Sequence, residues 1–125
     1  MSPRDWIRRL QDIGEALQRI ADYTAGMTAE DFMTDHKTAD AVIRNLEVIG
    51  EAARYLPSDV SARYPEIPWA EMRALRNILA HEYFGVSLPI LWRTVTHDLP
   101  PIAPLLAAIL EQEASIAPER DSTAS

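Results

Sequence analysis

Residues Ala70 to Tyr83 read A-E-M-R-A-L-R-N-I-L-A-H-E-Y. At about 100° per residue, Met72, Leu75, Ile78 and Leu79 fall on one side of a helix, and Arg73, Arg76, Asn77, His81 and Tyr83 on the other. The apolar side predicts a core anchor. His81 sits one turn after Asn77, and Tyr83 returns, two turns on, nearly to the azimuth of Arg76, so the polar groups form a broad strip. An amphipathic helix always turns a polar face to water, and for any one of these residues alone a solvated surface is the ordinary account. Their joint spacing points further. Histidine offers a proton donor or acceptor near neutral pH, arginine a permanent cation with a fork of donors suited to phosphate, and asparagine a neutral orienting amide. Together these groups suit phosphodiester chemistry without a metal.

Outward from this stretch the apolar residues keep a helical period, beginning with Trp6, Leu10, Ile13, Leu17 and Ile20 at alternating steps of four and three. This predicts a first helix opening at Ser2 and Pro3, with Asp5 in its first turn, and fading near Gly26. Thr28 is placed to cap a short turn. A second long helix is expected from about Asp35 to Leu56, burying Val42, Ile43, Leu46, Ile49, Ala53 and Leu56 and stopped by Pro57. Gly50, in its middle, suggests close backbone packing. Asp40, Arg44, Glu47, Glu51 and Arg54 form a mixed-sign stripe along it that suits solvent or a neighbouring helix. Ser58 to Pro65 read as a short helical connector, and Pro68 opens the motif helix, which Gly85 ends. Ser87 and Pro89 restart a helix carrying Leu91, Trp92 and Val95. Pro100 and Pro101 introduce the last, in whose first turn Pro104 must lie. From about Ala114 the composition is small and polar with charges, so residues 1–113 are expected to form the domain and 114–125 a disordered tail. Neither an internal repeat nor a strand-like alternation stands out.

With 125 residues, 47% hydrophobic, the chain can bury one core. It has no cysteine, which removes disulfides and thiolate zinc sites and makes a reducing cytoplasm the simple expectation. No window approaches the roughly 20 apolar residues of a membrane span, and the N-terminus lacks a signal peptide's apolar stretch. His36 and His97 have no ligand spacing and read as surface or capping residues, so no metal and no cofactor is expected. The net charge of -7 argues against a broad electrostatic grip on nucleic acid and confines any RNA contact to a small arginine-bearing cleft. Glu111, Glu113, Glu119 and Asp121 past Leu110 contribute to that charge.

The R-N-x-x-x-H-x-Y pattern at Arg76, Asn77, His81 and Tyr83 resembles the signature of HepT-like toxins of the HEPN superfamily. Four flanking segments extend the likeness: N-L-E-V-I-G-E-A at Asn45 to Ala52, I-P-W at Ile67 to Trp69, H-E-Y-F at His81 to Phe84 and L-W-R-T-V at Leu91 to Val95. The resemblance covers roughly residues 4 to 112. It implies an all-α bundle of about five helices, a homodimer and a metal-independent ribonuclease, neutralised by a nucleotidyltransferase antitoxin of the MNT type. Carried onto this chain, it makes Arg76, His81 and Asn77 the catalytic candidates and Tyr83 the acceptor of an AMP group added by the partner. Arg73, Arg44 and Glu47 are candidates to stand behind His81. Ala70, Ala74, Asn77 and His81, spaced four, three and four, would form the seam that joins two copies in one composite cleft. The alternative from another class is a non-catalytic helical module that docks a nucleotidyltransferase through the same polar strip.

Overall fold

The computed structural model describes the backbone of residues 3–81 and 87–124, and the side chains of residues 5–75 and 87–115. Every regular element among them is helical: α1 (Pro3–Thr24), α2 (Ala29–Thr34), α3 (His36–Arg54), α4 (Ser58–Ala62), α5 (Trp69–His81), α6 (Leu88–Arg93) with a π-helical extension at Thr94–Asp98, and α7 (Ile102–Ala124). The protein is all-α. Counting α6 and its extension as one element, five helices carry the bundle, while α2 and α4 are short connecting turns. Helix α3 packs against both α1 and α5, and α7 packs against α1.

The helical periods read from the sequence are the ones the core uses. Trp6, Leu10, Ile13, Leu17 and Ile20 of α1 are all buried, as are Val42, Ile43, Leu46, Ile49 and Ala53 of α3 and Leu56 beyond its end. Each fully buried aliphatic side chain of this kind stabilises the fold by about 1.5–3 kcal/mol. Gly50 is buried in the same stripe. Phe32 of α2, fully enclosed, packs on Trp92 of α6 with ring centroids 5.1 Å apart, which fixes the short helix to the bundle.

The boundaries have local chemical causes. Thr28 accepts from the Asp31 amide at 3.1 Å while the Asp31 carboxylate accepts from the Thr28 amide at 3.0 Å, a reciprocal cap that starts α2. Asp35 ends α2 and caps α3, accepting from the Thr38 amide at 3.0 Å and the Thr38 hydroxyl at 2.7 Å. Those bonds hold its carboxyl below the usual range. The expected span from Asp35 is therefore α3 with Asp35 as its cap. Gly26, at φ 74°, makes the left-handed turn after α1. Ser87 caps α6 with Pro89 at its start, and Pro104 sits in the first turn of α7, where a missing amide proton leaves no helical bond unmade.

One feature differs from the sequence reading. The helix after Ser87 widens at Thr94–Asp98, where the Leu99 amide reaches back five residues to the Thr94 carbonyl at 3.0 Å. Thr94 and Thr96 hydroxyls occupy the Ile90 and Trp92 carbonyls at 3.0 and 2.8 Å, and such back-bonding bends a helix. The wide turn keeps Val95 and Leu99 both in the core. The backbone of α7 runs as a helix from Ile102 to Ala124. Glu113, one of the charges past Leu110, is fully buried.

Candidate active site on helix α5

The entry to α5 is fixed by I-P-W. The Ile67 amide bonds the Tyr64 carbonyl at 3.2 Å, the Trp69 indole Nε1 donates to the same carbonyl at 2.9 Å, and the Met72 amide closes the first turn on Pro68 at 3.0 Å. Ile67, Trp69 and Met72 are buried, and Leu75 is half-buried against the core. This sets the rotation of α5. The backbone of Arg76, Asn77 and His81 continues the same helix, with Asn77 and His81 one turn apart and Arg76 and His81 about 7.5 Å apart along the axis at the helical rise. The side chains of Arg76, Asn77 and His81, together with Tyr83 and the helix end expected at Gly85, lie outside the described residues.

Of the three supporting candidates, Arg73 is tied to α3. Its Nε donates to the Ala53 carbonyl at 3.2 Å, placing a cation on one of the last carbonyls of α3. This bond joins the middle of α5 to the end of α3. Arg44 and Glu47 sit together on α3, 3.6 Å apart, with the Arg44 side chain 75% exposed. They border a groove of about 420 Å³ that also involves Arg9 and Asp12 of α1 and Val48, Glu51 and Ala52 of α3. In the expected seam, Ala70 is exposed and Ala74 half-buried. His36 opens α3 in an exposed position, and His97 is exposed with Nδ1 2.8 Å from the Thr96 hydroxyl. Among the described residues no three His, Cys, Asp or Glu side chains converge as metal ligands, and no helix is long and apolar enough to cross a membrane.

Two arrangements escaped the sequence reading. Glu113 of α7 accepts a hydrogen bond from the Tyr64 hydroxyl and pairs with Arg63 Nη1 at 3.0 Å, while its Oε2 makes no hydrogen bond among the described residues. Burial and the adjacent carboxylate push the Tyr64 phenol up to about 12. The signal was present in part: Ile102, Leu106, Ile109 and Glu113 follow one helical stripe, so the carboxylate continues a buried face. Arg9, in turn, lies over the exposed Tyr55 ring, 4.7 Å from its centroid, a pairing across 46 residues that no local pattern announces.

Comparisons with known proteins assign the family. The family model described as "Ribonuclease HepT-like" matches residues 13–109, which span α1 to α7 and include the whole R-N-x-x-x-H-x-Y segment. A Thermococcus cleftensis protein named "Probable ribonuclease HepT" is 50% identical over 91 residues, 73% of this chain and 83% of the relative. A Methanocaldococcus jannaschii protein named as a putative RNase is 45% identical over 100 residues, 80% of this chain and 83% of the relative. Another so named, from Caldanaerobacter subterraneus subsp. tengcongensis, is 34% identical over 113 residues, 90% of this chain and 97% of the relative. No solved structure matches significantly. The chain belongs to the HepT-like ribonuclease family.

Proposed function

We propose that the protein is the metal-independent endoribonuclease toxin of a toxin-antitoxin pair, acting in the cytoplasm as a homodimer. The observation that carries this reading is the R-N-x-x-x-H run Arg76–His81 on α5, followed in the sequence by Tyr83, within a chain whose family match covers residues 13–109. His81 takes the proton of a ribose 2'-hydroxyl, whose oxygen attacks the adjacent phosphorus. The bond to the 5'-oxygen of the next nucleotide breaks, that oxygen is protonated, and a 2',3'-cyclic phosphate remains. Arg76 stabilises charge on the phosphoryl oxygens and Asn77 orients the substrate or His81. No step requires a cofactor. Two copies meet along Ala70, Ala74, Asn77 and His81, so that both motif helices line one cleft. Control comes from an MNT-type nucleotidyltransferase that adds AMP to Tyr83, placing a bulky anion beside the cleft where it repels and obstructs RNA.

The deciding experiment is cleavage of single-stranded RNA in EDTA by the wild type and by His81→Ala protein of unchanged helicity and mass. Cleavage lost only in the variant supports the enzyme. Activity that vanishes with chelator and returns with magnesium overturns the mechanism, and equal cleavage by both proteins moves the chemistry to another site. Co-expression with the cognate nucleotidyltransferase and peptide mapping tests control: an AMP adduct on Tyr23, Tyr55 or Tyr64 in place of Tyr83 refutes the assignment.

A further inference from the structure

We propose that the groove between α1 and α3 is a base-binding subsite for single-stranded RNA, selective for guanine. The inference rests on the ribonuclease reading and adds to it a recognition element away from the motif helix. Three observations converge. The groove, about 420 Å³, falls in the range of pockets that hold small organic ligands, roughly 300–1,000 Å³, and its floor contains Val48 and Ala52, apolar surface against which a base can lie. Arg9 lines the groove and also lies over the ring of Tyr55, a residue 46% exposed, so a cation and a solvent-exposed aromatic ring stand together where the groove meets the end of α3. Aromatic and guanidinium planes are the surfaces on which unpaired bases stack.

The charges decide which ligand fits. Arg9 pairs with Asp12 at 4.0 Å and Arg44 with Glu47 at 3.6 Å, both longer than the roughly 2.7–2.9 Å of a charge-assisted hydrogen bond. Such exposed pairs are weakly held, and a ligand can engage both members. Asp12, Glu47 and Glu51, three carboxylates against two guanidinium groups, would repel a polyphosphate. A guanine instead presents two N–H donors side by side, N1–H and the 2-amino group, which a carboxylate accepts bidentately, while the nucleotide's own phosphate faces Arg44. Uracil offers one such donor, and adenine and cytosine only an amino group. Helix α3 packs against both α1 and α5, so the helix that carries one side of the groove also seats the motif helix.

The test uses fluorescein-labelled single-stranded oligonucleotides carrying one guanine, or inosine in its place, since inosine lacks only the 2-amino group. Binding is read by anisotropy in His81→Ala protein, and cleavage kinetics are read in the otherwise wild-type protein. Tyr55→Ala should weaken binding and raise KM about tenfold with kcat within about twofold, as expected when one stacked base is lost. Tyr55→Phe should restore binding, and Tyr23→Ala, an exposed tyrosine at the far end of α1, should change nothing. The guanine oligonucleotide should bind about tenfold tighter than the inosine one, and Glu47→Gln should erase that difference. Equal affinity of Tyr55→Ala and its parent for the guanine oligonucleotide overturns the subsite. So does absence of any guanine preference, or an Arg44→Glu protein that changes its oligomeric state in place of its RNA affinity, which marks the groove as a protein interface. Should the wild type fail to cleave RNA, the ribonuclease reading falls while the anisotropy arm still decides whether the groove binds it.

Discussion

Replacing Tyr64 with phenylalanine removes one oxygen from the contact that fastens α7 to the rest of the bundle. In the wild type that hydroxyl donates to Glu113, whose side chain is 0% exposed and whose other polar partner is Arg63 at 3.0 Å. The variant keeps the ring and leaves a fully buried carboxylate with the guanidinium as its one polar partner among the described residues. Hydrogen bonds to charged groups contribute about 1.5–3 kcal/mol, and the upper part of that range applies because the acceptor cannot recover the lost bond from water. A loss of about 2–3 kcal/mol is expected. In a domain of this size it lowers Tm by about 8–12 °C, read by circular dichroism at matched protein concentration so that any association cancels. The pH dependence gives a second signature. Because the folded phenol is raised from 10.0 to about 12, its contribution is complete below pH 10 and is lost as pH rises through 12. Wild type should therefore lose stability between pH 10 and 12 relative to Tyr64→Phe, which has no phenol to ionise there. A Tm change below about 2 °C, or parallel alkaline limbs for the two proteins, would refute the reasoning.

Gly14→Ala should stabilise: the new methyl would meet Leu106 and Leu110 side chains at 3.7 Å, an ordinary van der Waals distance, while a mid-helix glycine costs about 0.5–1 kcal/mol, so chemical denaturation should show a gain of that size. Thr28→Ala removes one half of the reciprocal cap on α2 and should cost about 0.5–2 kcal/mol, checked by urea denaturation with an unchanged slope. Arg73→Met retains the aliphatic stem but abolishes the bond to Ala53, and about 1–2 kcal/mol should be lost; hydrogen exchange should report the loosening in the last turn of α3 first.

The helices were legible because their causes are local. A repeat of apolar residues every three or four positions marks each buried face, and Thr28, Asp35, Ser87 and the prolines at 57, 68, 89 and 104 mark the ends through hydrogen bonds or missing donors within four residues. The widening at Thr94–Asp98 was less legible, since threonine bonds to carbonyls and the wish to keep Val95 and Leu99 buried compete within the same few residues. For the site, the sequence supplied the motif, its place on a helix and the family. The structure added how α5 is seated: Ile67, Trp69 and Met72 set its rotation and Arg73 ties it to α3.

What the sequence by itself determined, then, is the all-helical class, most of the boundaries, the core stripes of α1 and α3 and the row of chemistry on α5. Only the tertiary structure decided that Glu113 is enclosed with Tyr64 and Arg63, that Arg9 covers Tyr55, and that Arg44 and Glu47 edge a groove against α1. The reason is separation along the chain. A cap or a helical face is written in residues a few positions apart, where backbone geometry fixes the distance. A carboxylate 49 residues from its tyrosine is charged and solvent-seeking on every local measure, and it becomes a buried anchor only when the packing of α7 brings donors close enough to replace water.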